Sequence, residues 1–198
     1  MGAYLTRLSA NIAVDYMKGI NFMPKTLLNI GVGSCPELAV WKKRLPEVAL
    51  LGVDVRHRRW DAPCVVAVVS DVSKKDAEYC KNCRSIKCQD PTHSSRRGKI
   101  GEVKTIDEIV EETKVQAPFF LWMDIEGAEL DALKGATKTL VNVPLINIEM
   151  REFQWTTNYC NELHDFLVSN EYSLVDISSR NTNNMPLEDK LYVHIGVK

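Results

Sequence analysis

The chain has 198 residues, 45% hydrophobic and 26% charged, with 25 Lys+Arg against 26 Asp+Glu and a formal net charge of −1. Ordinary Gly and Pro contents (10 and 8), with apolar residues recurring throughout, exclude a collagen-like, low-complexity or disordered chain and suit one globular domain over 1–198. Near-zero charge removes any global electrostatic drive toward nucleic acid or an acidic membrane, and no apolar run reaches the roughly 18–20 residues that cross a bilayer.

The start, Met1 to Ala10, contains Arg7 and has no uninterrupted apolar stretch, so the expectation is a soluble, cytoplasmic protein with mostly reduced thiols. Leu5, Leu8, Ile12 and Tyr16 recur at helical spacing and Gly19 follows as a stop, which predicts an N-terminal helix over Leu5–Met17. Short apolar runs then predict strands at Thr26–Gly31, Val48–Val53, Pro63–Val69, Pro118–Met123, Leu145–Glu149, Tyr172–Ile177 and Lys190–Val197, buried on both faces. Between them, helical patterns span Pro36–Leu45, Ile106–Glu112, Ala128–Leu140 and Asn158–Ser169. Alternating strands and helices imply an α/β three-layer domain around a largely parallel sheet. Residues 74–99 break the rhythm: they lack apolar periodicity, hold three of the six Cys, and read as an insertion on the sheet.

The first strand runs into Gly31-Val32-Gly33, where glycines let a ligand approach the backbone, and Asp54 ends the next strand 23 residues after Gly31. A carboxylate at that spacing can hold both hydroxyls of a nucleoside ribose. The third glycine of a dinucleotide fingerprint is missing near Pro36, which fits a nucleoside ligand without phosphates, such as S-adenosylmethionine. A second motif, Asp124-Ile125-Glu126-Gly127-Ala128-Glu129, follows the apolar run Phe119–Met123. Asp124 and Glu126 leave the sheet at its ligand-binding edge, and Glu149 ends the neighbouring strand. These carboxylates suit a base for a substrate hydroxyl, a divalent cation site at Asp124, or contact with a positively charged ligand; alternatively Asp124 or Glu126 caps the following helix. His57 is a lesser candidate base, beside Arg56, Arg58 and Arg59.

At these residues the chain resembles the FkbM family of S-adenosylmethionine-dependent methyltransferases. The resemblance is carried by the Gly31/Gly33 strand, Ala67-Val68-Val69-Ser70-Asp71, Val103-Lys104-Thr105-Ile106-Asp107 and above all Asp124–Glu129 with Leu133-Lys134-Gly135-Ala136. It implies a class I methyltransferase, Rossmann-like fold with a seven-stranded, mostly parallel sheet and an antiparallel last strand. It implies O-methylation of a hydroxyl on a sugar or other small molecule, with Gly31, Gly33, Asp54, Ser70 and Asp71 binding the cofactor and Asp124 and Glu126 facing the reacting centre. Three positions depart from the family pattern: Asn29 for the usual Asp, Cys35 for the last glycine, and Trp122 for Lys.

Cys80-x2-Cys83-x4-Cys88-x4-His93 has the spacing of a zinc knuckle with the order of its last two ligands exchanged, which suits a structural Zn²⁺ that the family resemblance does not require; the alternative is a flexible insertion with reduced thiols. Residues 74–99 carry eight Lys/Arg against three Asp/Glu, a local +5 inside a neutral chain. A nucleic-acid acceptor bound by this basic segment is therefore the alternative to a small-molecule or glycan acceptor, and a non-catalytic cofactor-binding module is the third reading.

Overall fold

The computed structural model describes residues 2–56, 62–80, 97–150, 157–182 and 185–196. The elements run α1 (Gly2–Gly19), β1 (Thr26–Ile30), α2 (Leu38–Arg44), β2 (Ala49–Asp54), β3 (Cys64–Val66), β4 (Val68–Val69), β5 (Lys74–Cys80), β6 (Arg97–Lys104), α3 (Ile106–Thr113) and β7 (Phe119–Met123). They continue through α4 (Glu129–Lys134), α5 (Thr137–Leu140), β8 (Leu145–Met150), α6 (Thr157–Ser169), β9 (Tyr172–Thr182) and β10 (Met185–His194).

Seven strands form the main sheet in the order β3-β2-β1-β7-β8-β10-β9. Strands β3, β2, β1, β7 and β8 pair in parallel, whereas β10 is antiparallel to both β8 and β9. This is the mostly parallel sheet with an antiparallel last strand that the resemblance implies. Every residue of β1, β7 and β8 is buried, as continuous apolar runs between two helical layers require.

Each sheet face has its own core. On one side Leu28, Ile30, Leu121, Met123, Ile146 and Ile148 meet α3, α4, α5 and α6; on the other Leu27, Phe120, Trp122 and Leu145 meet α1 and α2. Trp41 of α2 stacks edge-on against Trp122, centroids 5.3 Å apart, an arrangement that adds about 0.5–1.5 kcal/mol beyond the area buried. The stripe that α1 buries is Ala10, Ala13, Val14 and Met17, while the predicted Ile12 and Tyr16 are half-buried at its edge.

Three expected elements take a different form. The run Pro63–Val69 divides: β3 ends the main sheet beside β2, and β4 leaves it to pair with β6 in a second sheet ordered β4-β6-β5. Residues 74–99 are not simply an insertion without pattern, because their two arms are β5 and the start of β6, paired antiparallel from Lys74↔Val103 to Cys80↔Arg97. Ala77 and Tyr79 alternate with Asp76 and Glu78, and bury against Val68, Ile100 and Val103.

The predicted helix Ala128–Leu140 breaks into α4 and α5 at Gly135. A β-carbon on Gly135 would lie 2.2 Å from the Ser70 carbonyl oxygen, so the chain must pass here as glycine. Asp107, at the start of α3, then caps α5: its carboxylate accepts from Lys138 N at 3.0 Å and Thr139 N at 2.8 Å, and its own N–H donates to the Gly135 carbonyl. Its helix α3 starts on a capping box in which Thr105 and Glu108 satisfy each other's backbone N–H groups.

Gly135→Ala should therefore lower the unfolding free energy by about 2 kcal/mol or more, because backbone and not a flexible side chain must move. Gly101→Ala, with nothing within 4 Å of the added carbon, should stay within about 0.5 kcal/mol of the parent in the same chemical-denaturation experiment.

Candidate active site

The cleft lies at the carboxyl ends of β1, β2 and β7, where an open α/β sheet binds its ligands. Gly31, Gly33, Asp54, Asp124 and Glu126 line it together with apolar residues of β1, β2 and the β3–β4 run. Ser70 and Asp71 follow directly on Val69 of the cleft wall but do not line it; the Ser70 hydroxyl donates to Asp71 Oδ1 at 3.1 Å.

Two turns meet at the cleft floor without clearance. Gly31 has φ +92°, and a β-carbon there would lie 1.9 Å from the Asp124 carbonyl oxygen. The Gly31 N–H donates to the Val53 carbonyl and the Asp124 N–H to the Ile30 carbonyl, so the glycine turn is held between β2 and β7. Asp54 is buried at 6% exposure; its carboxylate accepts from Gly33 N at 3.0 Å and Arg56 N at 3.1 Å, which fixes it on the cleft wall. Asp124, Glu126 and the buried Glu149 each present a carboxylate oxygen within 4.8 Å of the others.

Residues 24–174 match the methyltransferase FkbM domain. The chain belongs to the FkbM methyltransferase family. Among solved structures it is similar to the methyltransferase domain of bacterial CtHen1, at 13% identity and TM-score 0.51, covering 96% of this chain and 99% of that one. It is also similar to the plantazolicin methyltransferase BpumL in complex with a pentazolic desmethylPZN analogue and S-adenosylhomocysteine, at 10% identity and TM-score 0.50, covering 98% of this chain and 84% of that one. At those identities the likeness is one of fold. No curated protein matches the chain significantly in sequence.

The three departures from the FkbM pattern have physical locations in this methyltransferase. Cys35 adopts φ +42°, the left-handed conformation that glycine takes without strain. Asn29 faces it, donating Nδ2–H to Cys35 Sγ at 3.4 Å, so two of the departures are one contact. Burial and the neighbouring Glu37 carboxylate push the Cys35 thiol up, which keeps it protonated and unreactive. Trp122 lies in the core against Trp41 and takes no part in the cleft.

Glu126 does not occupy the N-cap position of α4. It adopts φ +60°, and the N-cap position is Ala128, which makes no side-chain cap. The turn is held by a residue that the strand-end pattern does not single out, Glu129, which is fully buried. Its carboxylate accepts from Ile125 N at 3.1 Å, Gly127 N at 3.0 Å and the Tyr159 hydroxyl at 3.1 Å. The signal for it is positional: Glu129 stands on the buried stripe of Ala132, Leu133 and Ala136, the one acid on that face. Of the remaining expected residues, Cys80 ends β5, whereas Cys83, Cys88, His93 and His57 lie outside the described residues.

Burial pushes the Glu129 carboxyl up to about 7, against the opposing pull of its hydrogen bonds. The folded protein thus binds this proton more tightly than the unfolded chain. Its contribution to stability is full below the unfolded value of 4.5 and is lost as pH rises through about 7. Glu129→Gln should flatten that slope: across pH 4.5–7.5, urea denaturation should show wild-type stability falling relative to the variant as pH rises.

Proposed function

We propose that this FkbM-family chain is an S-adenosylmethionine-dependent methyltransferase that methylates a hydroxyl oxygen of a sugar or other small molecule. The observation that carries the reading is the convergence of Asp124, Glu126 and Glu149 beside a cleft whose opposite wall holds Gly31, Gly33 and Asp54. The cradle fits the cofactor: Gly33 lines the cleft, a β-carbon there would stand in open space, and the fixed Asp54 carboxylate suits a vicinal diol. Ser70 and Asp71, one step beyond the cleft wall, are assigned to the adenosyl end.

The bound cofactor supplies a methyl group already made electrophilic by its sulfonium. What the protein adds is alignment and proton acceptance. Asp54 with Gly31 and Gly33 holds the nucleoside. Asp124 would accept the proton of the acceptor hydroxyl, with Glu149 second in that role, the methyl passing from sulfur to that oxygen with S-adenosylhomocysteine as the leaving group, and the carboxylates would favour a cationic donor over an anionic acceptor. A divalent cation is the second reading of the same cluster, because carboxylate oxygens within 4.8 Å of one another can share one ion of Mg²⁺ or Ca²⁺ type.

A nucleic-acid acceptor remains the competing substrate class, supported by the +5 charge of residues 74–99. The Cys80-x2-Cys83-x4-Cys88-x4-His93 spacing supports a Zn²⁺ held by those four residues as a local brace.

Labelled-cofactor turnover measured over sugars, hydroxylated metabolites and RNA should show transfer to a hydroxylated small molecule. Asp124→Asn should lower kcat by roughly 10²–10⁴-fold. Transfer to RNA alone, with salt-sensitive binding, would replace the acceptor class. In calorimetry Asp54→Ala should weaken S-adenosylhomocysteine binding at least tenfold; unchanged affinity removes the ribose assignment. EDTA should leave turnover intact under the base reading and abolish it under the cation reading, and elemental analysis of the untreated protein should find one zinc per chain.

A further inference from the structure

We infer that Glu129 is a positioning residue for methyl transfer, a buried carboxylate that holds the Asp124–Glu126 turn in its working shape and ties it through Tyr159 to helix α6. The inference rests on the assignment of Asp124 and Glu126 to the reacting centre, and it concerns a residue that neither lines the cleft nor meets the acceptor.

The turn needs such a partner. Glu126 and Gly127 take φ +60° and +101° in succession, so the backbone doubles back and turns the N–H groups of Ile125 and Gly127 inward. Successive backbone N–H groups in such a bend make an anion-binding concavity. Here the anion is the protein's own: Glu129 Oε1 accepts from Ile125 N, and both carboxylate oxygens accept from Gly127 N. The two residues whose N–H groups are held flank Glu126, and Ile125 also follows Asp124 directly, so the side chains proposed for chemistry are carried on the backbone that Glu129 fixes.

The third donor comes from elsewhere in the chain. Tyr159 of α6 donates its hydroxyl to Glu129 Oε2 at 3.1 Å and accepts from Leu130 N at 3.2 Å, bridging the carboxylate to the first turn of α4. Glutamate suits the position for reach and for charge. Aspartate is one methylene short of the concavity, and glutamine turns one acceptor into a donor facing N–H groups. Buried among three donors, the carboxylate has no solvent to replace any of them.

The test compares wild type with Glu129→Gln, Glu129→Asp and Tyr159→Phe in steady-state methyl transfer above pH 7.5, with S-adenosylhomocysteine affinity and amide NMR spectra recorded on the same samples. Positioning predicts that kcat falls 10–100-fold in both Glu129 variants and 3–10-fold in Tyr159→Phe. The KM for the cofactor and the S-adenosylhomocysteine Kd should stay within threefold, a split that general loss of packing would not produce. The Ile125 and Gly127 amide protons should move upfield in both Glu129 variants. Wild-type kcat in Glu129→Gln, or a loss matched by equal loss of cofactor affinity, overturns the inference. If no acceptor is turned over by wild type, the functional assignment fails by itself, and the NMR arm decides: unmoved Ile125 and Gly127 amides overturn the positioning role.

Discussion

The cleft depends on a contact that leaves no room for a single carbon atom. Gly31 meets the Asp124 carbonyl so closely that a β-carbon would lie 1.9 Å from its oxygen, and the strands on either side bond the two turns to each other. Backbone packed on backbone cannot be relieved by a rotamer change, and protein interiors transmit such constraints as rigid displacement. The glycine of the first turn is thus required by the protein's own backbone. It sets where the acidic turn after β7 stands relative to Gly33 and Asp54 in the cleft.

A second contact of the same kind fixes the far wall. Gly135 packs on the Ser70 carbonyl, and Asp107 ties the start of α3 to α5 immediately beyond it. Segments far apart in the chain, Ala67–Asp71, Thr105–Asp107 and Leu133–Ala136, are therefore one piece of structure. Their joint appearance in the sequence has a physical basis in this mutual packing. Asn29 and Cys35 make the same point at small scale, since the two exchanged positions touch each other.

Much of this was legible in the residue order. The sheet, its parallel sense and the placement of Gly31, Gly33, Asp54, Asp124 and Glu126 on one cleft follow from apolar runs that end in glycines and acids, because strand ends in such a sheet all point to one edge. Glu149 meets Asp124 and Glu126 because its strand is the next neighbour of β7. What was hidden depended on tertiary partners. A single apolar run over Pro63–Val69 carries no mark of where it changes sheets; that is decided by β6, some thirty residues on. The arms of the Cys-rich segment alternate over too few residues to stand out from their Lys and Glu neighbours. Glu129 reads as an ordinary first-turn acid, favourable near a helix N-terminus, until the inward N–H groups of the preceding turn show what it is buried against. That turn takes its shape from Glu126 in the left-handed region, which no local propensity predicts for glutamate.

The central claim is that the two turns form one rigid unit presenting a nucleoside-bound methyl donor to Asp124, Glu126 and Glu149. A crystal structure of the complex with S-adenosylhomocysteine tests it most directly. The account predicts the ribose hydroxyls on the Asp54 carboxylate, the sulfur directed toward Asp124, and the Gly31–Asp124 contact unchanged. A ligand seated in the cleft with its ribose away from Asp54, or with its sulfur pointing away from the three carboxylates, would contradict it.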